Sequence, residues 1–256
     1  MTQLSSQAVI LKTTDYAEFD RIVTLYTQDF GKIKGIAKGA KRSQKRFGSA
    51  LEPFTHNEVV FVDKRSHGLV RLERCHIIQS FQNIAEDIKK VILGNYLLEL
   101  VNALTAEKEK NAEIFSLLLF FIQILQEQSF REDLTRIFEF RLFSLIGYQP
   151  QFVCCVVCGQ EFAVNHRYKF SIKRGGIVCS TCQNKMHDLI PLSNGTIRIF
   201  QQVQSLDLEK VHRIFFSQTE HEEGKEIFGK FLEYHIGRKP RSLEILKQIK
   251  NNHQFE

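Results

Sequence analysis

The first eighty residues of this chain read as short strands, several of which alternate apolar and polar positions with a period of two. The segments 7–13, 21–27, 32–37, 58–63 and 69–77 are rich in Val, Ile, Thr and aromatic residues. In the second of them Ile22, Thr24 and Tyr26 alternate with Val23 and Leu25. Alternation of this kind sends successive side chains to opposite faces of a half-buried strand. Asp29-Phe30-Gly31 has the composition of the turn between the second and third strands. Five short strands in so little chain suit a small closed barrel. The OB-fold is the commonest five-stranded one, and an SH3-like barrel is the alternative that spacing leaves open.

From Asn83 the period becomes helical. Ile84, Ile88, Val91, Ile92, Leu97, Leu98 and Val101 form one apolar stripe, and Ile114, Leu117, Leu118, Phe121 and Leu125 a second. A third runs through Leu134, Ile137, Phe138, Leu142 and Leu145, with Arg131, Arg136, Glu139 and Arg141 on its other face. Gly147, followed by Pro150, stops that helix. Ser193 is placed to cap a short helix through Ile197 and Phe200, another helix starts near Leu208, and a long one ends near Gly237. The pattern predicts an α+β protein. Residues 1–80 form the five-stranded OB-fold barrel, and residues 81–256 a mainly α-helical domain with an insert at about 151–190. Most of the 22 Phe fall at helical core spacing, Phe138 and Phe231 among them, and read as core.

The insert carries a four-cysteine, zinc-ribbon-like pattern. Cys155-Val-Val-Cys158 is separated by twenty residues from Cys179-Ser-Thr-Cys182. Two such knuckles, brought together by a hairpin around Gly175-Gly176, supply the four thiolates of a closed tetrahedral zinc site. One structural Zn2+ per chain is expected. Cys154 is the alternative to Cys155, and a pair of disulfides is the alternative to metal. Against the disulfides, residues 1–11 lack the basic-then-apolar order of a secretory signal. The longest apolar run, 114–125, holds Ser116 and Gln123 and is too short to span a bilayer. A cytoplasmic protein with reduced thiols and no membrane partner is expected. Four protein thiolates leave no open coordination position, and there is no His-Glu-x-x-His and no Pro-Cys-x-x-Cys of a zinc deaminase. The chain reads as a binder, not an enzyme. Cys75, in a strand-like stretch, reads as a small buried apolar residue.

A net charge of +6 points mildly to a polyanionic partner. The charge is concentrated. Lys32, Lys34, Lys38, Lys41, Arg42, Lys45 and Arg46 place seven cations in fifteen residues with no Asp or Glu among them. Gly31, Gly35, Gly39 and Gly48 would let backbone approach a phosphate, and Phe47 would offer a ring for a base to stack on. These residues are the DNA-binding candidates. If about four cations meet phosphates, log affinity falls with log salt at a slope of roughly −3. A solvated loop whose charges bind nothing is the alternative. Gly35-Ile-Ala-Lys-Gly-Ala-Lys41 has the wrong spacing for a nucleotide-binding loop.

Ala37-Lys-Gly-Ala-Lys-Arg-Ser43 precedes Gly48 and Leu51-Glu-Pro-Phe54. Phe138-Glu-Phe-Arg-Leu-Phe-Ser-Leu-Ile-Gly-Tyr-Gln-Pro150 then runs into Cys155-x-x-Cys158-Gly159. Phe170, Gly175-Gly-Ile-Val-Cys179 and Cys182 follow, and finally Tyr234-His-Ile-Gly-Arg-Lys-Pro-Arg-Ser242. In this order, over nearly its whole length, the chain resembles the bacterial recombination-repair family RecO, from which it departs in the doubled Cys154-Cys155. The resemblance implies an OB-fold, a helical domain and a zinc-ribbon-like insert whose metal is structural. It implies binding of single- and double-stranded DNA by the basic barrel face, annealing of complementary strands and, with RecR, help for RecA in replacing single-strand-binding protein. It also implies that the acidic tail of single-strand-binding protein docks on the helical domain, where Arg136 or Arg141 could serve, and it leaves open a dependence on RecF. Localisation would be cytoplasmic, with the nucleoid. A zinc-ribbon scaffold that binds only proteins is the rival reading.

Overall fold

The computed structural model describes residues 3–63, 68–128, 131–237 and Ser242. Five strands, β1 (Gln3–Tyr16), β2 (Asp20–Thr27), β3 (Gly31–Ala37), β4 (Thr55–Val62) and β5 (Val70–Ser80), close into a barrel in the order β1-β2-β3-β5-β4. All pairs are antiparallel except β3 with β5. A simple meander cannot place β5 between β3 and β4, so the strand order decides for the OB-fold over the SH3-like barrel. β1 is longer than its apolar pattern suggests because it serves two neighbours. Its first half pairs with β4 and its second with β2, and a register shift between Ile10 and Lys12 lets it curl from one to the other. Ala8, Ile10, Val23, Leu25, Ile33, Val59, Phe61, Val70 and Leu72 fill the interior with Cys75. Burial pushes the Cys75 thiol up to about 12, so it remains a neutral apolar filler.

Helices α1 (Ile88–Leu104) and α2 (Ala112–Glu127) follow, with Asp87 and Asn111 accepting from the free N–H groups of their first turns. Val9 and Tyr26 are fully buried though they stand outside the barrel core. The Tyr26 hydroxyl donates to the carbonyl of Asn111 (3.3 Å), and His56 packs 5.8 Å from the Phe115 ring. Gly94, inside α1, has a specific reason. A Cβ there would meet the Phe54 ring at 2.5 Å. Compact packing groups Met1–Phe130 and Pro240–Glu256 in one unit and Arg131–Lys239 in the other.

The second unit holds α3 (Glu132–Leu145), a three-stranded sheet of β6 (Tyr168–Ser171), β7 (Gly176–Cys179) and β8 (Leu189–Leu192), then α4 (Asn194–Ser205) and α5 (Gln218–Ile236). α3 stops before Gly147, at φ +86°. Ser193 caps α4, Ser217 and Glu220 form a reciprocal capping box on α5, and Gly237 ends α5 in the left-handed conformation. The stretch from Leu208 is a short 3-10 turn, Leu208–Arg213. Phe200 stacks on both Phe140 and Phe152, and Phe143, Phe228 and Phe231 extend the same core. The polar face of α3 is not a solvent face. Arg136 and Glu139 are buried and paired at 3.0 Å. Arg141 donates to the Leu206 carbonyl, and Arg131 to Asp133 and the Ile214 carbonyl. Arg136 is therefore committed internally, whereas Arg141 is half-buried with its guanidinium on the Leu206 carbonyl. No helix among the described residues is long and apolar enough to cross a membrane.

Candidate nucleic-acid interface and metal centre

The two knuckles meet as their spacing predicts. β6 and β7 form a hairpin through Gly175, at φ +69°, and β7 ends on Cys179. In the first knuckle the Gly159 amide closes on the Cys155 carbonyl at 2.9 Å, and in the second the Cys182 amide closes on that of Cys179 at 3.0 Å. The sulfurs of Cys155, Cys158, Cys179 and Cys182 lie within 4.8 Å of one another, and those of Cys158 and Cys179 are 3.7 Å apart. Four thiolates at about 2.3 Å from one tetrahedral ion stand roughly 3.8 Å apart, so this donor set fits a single cation. Cys154 lies outside the cluster and forms a β-bridge with Glu161 instead.

The thiols also show why a cation suits them. Burial opposes ionisation of Cys155, but the amides of Cys179, Cys158 and Val157 overcome it and bring that thiol down to about 6. Cys182 is pushed up to about 12, by burial and then by the thiols of Cys179, Cys158 and Cys155. The Gln160 amide works to lower Cys158, yet Cys155, burial and Cys179 together raise it. One negative charge is accommodated readily. Further charges a few ångströms away require a positive ion between them.

The basic run is an ordered loop rather than a solvated tether. Phe47, Ala50 and Leu51 turn inward and close one end of the barrel. Phe47, at 2% exposure, is thereby part of the core and offers no ring to a base. Arg46 braces the loop by donating to Ser43 Oγ and to the Lys38 carbonyl. Lys34, Lys38, Lys41, Arg42 and Lys45 are exposed. Lys32 does not stand with them. It is only 9% exposed, and its Nζ donates to the carbonyls of Asn102 (2.6 Å) and Thr105 (2.5 Å) at the end of α1. Burial lowers its pKa, against Glu107 and with Lys34. The fold also supplies acids that the run itself lacks. Asp15 pairs with Lys41 at 2.9 Å, a hydrogen bond that holds its carboxyl below the usual range, and Asp20 accepts from the Gly39 amide at 2.8 Å.

Beside this loop lies a row of side chains of which only Lys34 was among the sequence candidates. Strand register puts Lys12, Thr24 and Lys34 side by side, then Thr14, Ile22, Ile36 and Arg71. Tyr16 continues the β1 row two residues beyond Thr14 and is 51% exposed. The period of two along 12–16 could have revealed the first members. Arg71 could not be placed without knowing that β5 lies beside β3.

The descriptions of known families match in two adjoining stretches, "Recombination protein O N terminal" over residues 1–81 and "Recombination protein O C terminal" over 85–244. A DNA repair protein RecO of Syntrophus aciditrophicus is 35% identical over 95% of this chain and 95% of its own length. One of Desulfatibacillum aliphaticivorans is 33% identical over 99% and 100%, and one of Desulfosudis oleivorans 32% identical over 98% and 100%. With barrel order, cysteine cluster and full-length similarity in agreement, the chain belongs to the RecO family.

Proposed function

We propose that the protein acts in DNA repair and recombination as a DNA-binding mediator. It binds single- and double-stranded DNA, anneals complementary strands and, with RecR, helps RecA replace single-strand-binding protein, whose C-terminal tail it engages; RecF is a further partner to test. Residues 1–80 serve as the DNA-binding domain, and residues 81–256 carry the zinc segment at about 151–190. The observation that carries this reading is the loop of exposed cations anchored by Phe47, Ala50 and Leu51 across an OB barrel. Such cations neutralise the backbones of two strands, reducing their repulsion enough for base pairing without ATP. The contacting set is Lys34, Lys38, Lys41, Arg42, Lys45 and Arg46, with Lys32 reassigned to holding α1. Cys155, Cys158, Cys179 and Cys182 would hold one Zn2+, which fixes the hairpin and leaves no position for substrate.

Lys38→Glu/Lys45→Glu tests this, because both side chains are exposed. The expected result is a large loss of single-strand affinity, a salt slope flatter by about 1.4 and an unchanged melting temperature. Unaltered binding at low salt would sink the reading. A specific observation favours a second one. Val153, Val157 and Val164 of the zinc segment are exposed, as they would be on a scaffold that binds proteins only. A salt-dependent gel shift with short single-stranded DNA separates the two, since the scaffold gives none.

A further inference from the structure

We propose that the outer face of β1, β2 and β3 is a platform for unpaired bases, with Tyr16 and the guanidinium of Arg42 as its stacking surfaces. This rests on the DNA-binding reading above and deepens it, because it makes the single strand, not the duplex, the preferred ligand of this face.

The β1–β2 turn and the basic loop are one surface. The Lys41 amide donates to the Phe19 carbonyl (3.1 Å), the Gly39 amide to Asp20 (2.8 Å), and the Lys41 ammonium pairs with Asp15 (2.9 Å). Arg42 lies over the Phe19 ring at 3.1 Å, which fixes a planar cation in an exposed position before any ligand arrives. Ala17 holds the turn at φ +51°, a region a non-glycine residue adopts only where its surroundings enforce it. Tyr16 stands at the end of the same strand face as Lys12 and Thr14, half of its surface open to solvent. Ile22 and Ile36, half-buried partners in the next two strands, continue an apolar floor from it, and Lys12 and Lys34 flank that floor.

Aromatic and guanidinium planes at the surface of a barrel, bordered by cations, match the chemistry of single-stranded DNA. Its bases stack on the planes while its phosphates meet the cations. A duplex keeps its bases stacked on each other and can use only the cations. A charged surface alone would treat both nucleic acids by their charge density. The exposed ring is what discriminates.

The test is fluorescence anisotropy of the full chain with a labelled oligothymidylate and with a duplex, each over a series of salt concentrations. Tyr16→Ala is expected to weaken oligothymidylate binding roughly ten-fold, with duplex binding changed by less than about two-fold. The salt slope should stay unchanged, because stacking releases no counterions. Tyr16→Phe retains wild-type affinity, whereas Tyr16→Leu, which keeps the apolar bulk without the ring, behaves as Tyr16→Ala. No loss in Tyr16→Ala, equal losses on both DNAs, or full affinity in Tyr16→Leu overturns the platform. Lys38→Ala/Lys45→Ala measured in parallel separates the two readings. It should weaken both DNAs and flatten the slope; if it does neither while Tyr16→Ala still weakens the single strand, the basic-loop reading fails and the platform stands.

Discussion

Replacing Lys32 by Met sets the structural reading of the basic run directly against the one suggested by charge. The Lys32 ammonium donates to the carbonyls of Asn102 and Thr105, the region where a helix carries unpaired acceptors and partial negative charge. Charged hydrogen bonds contribute about 1.5–3 kcal/mol each, and a buried acceptor left without a donor costs about 1–3 kcal/mol. Against this stands the desolvation of the ammonium, the first cause of its lowered pKa. Met retains the stem and removes that cost, so the net loss should be about 2 kcal/mol. For a chain of this size that lowers the melting temperature by about 4–8 °C. DNA affinity of the folded variant should stay within about two-fold of wild type, since no phosphate contact is lost. The pH dependence has a definite sign. The folded pKa lies below the ordinary 10.5, so between the two values the unfolded chain binds the extra proton. Stability from this group therefore rises with pH in that window, and the gap between wild type and Lys32→Met widens. Thermal unfolding and a salt-dependent binding series measure both sides. An unchanged melting temperature with weakened DNA binding and a flatter salt slope would show that Lys32 contacts phosphate after all.

Two further outcomes follow from the packing. Metal analysis should give one divalent ion per chain; chelation or Cys158→Ser should remove it and lower the melting temperature, while Cys154→Ser should leave the metal content intact. Well under one ion per chain would exclude the centre. Gly31→Ala should destabilise the fold by at least about 2 kcal/mol in denaturant titration, because Gly31 sits at φ +64° and a Cβ there would overlap the carbonyl oxygen of Glu109; a loss below about 0.5 kcal/mol would show that the backbone relaxes freely there.

The strands were legible from short Val-, Ile- and Thr-rich runs, although Ala8–Leu11 and Val23–Thr27 are buried on both faces and do not alternate, and the Cys155 to Cys182 spacing carried the geometry of its cluster. What was not legible depended on residues far away in the chain. Lys32 and Lys34 look alike in sequence and differ because only the first meets the carbonyls of Asn102 and Thr105, some seventy positions on. Arg136 and Glu139 have the spacing of an exposed helical pair, yet α3 is packed on that side as well, and both are buried. Phe47 reads as an exposed aromatic among cations, but the loop turns it into the barrel. Tyr16 escapes the pattern for the opposite reason. It lies beyond the apolar stretch that marks β1, at a strand end that only pairing with Asp20 reveals.

The contact between Ser242 and α1 bears on the order in which the molecule is made. Both the amide and the hydroxyl of Ser242 donate to Glu99, across 143 positions of chain. Residues 131–239, with the cysteine cluster, belong to the other compact unit. As the chain is synthesised, the barrel, α1 and α2 precede residues 131–239, and these two hydrogen bonds form only after that whole intervening unit has been made. The barrel unit is thus completed across an intervening unit, and removing Ser242 would take two hydrogen bonds away from the Glu99 carboxylate.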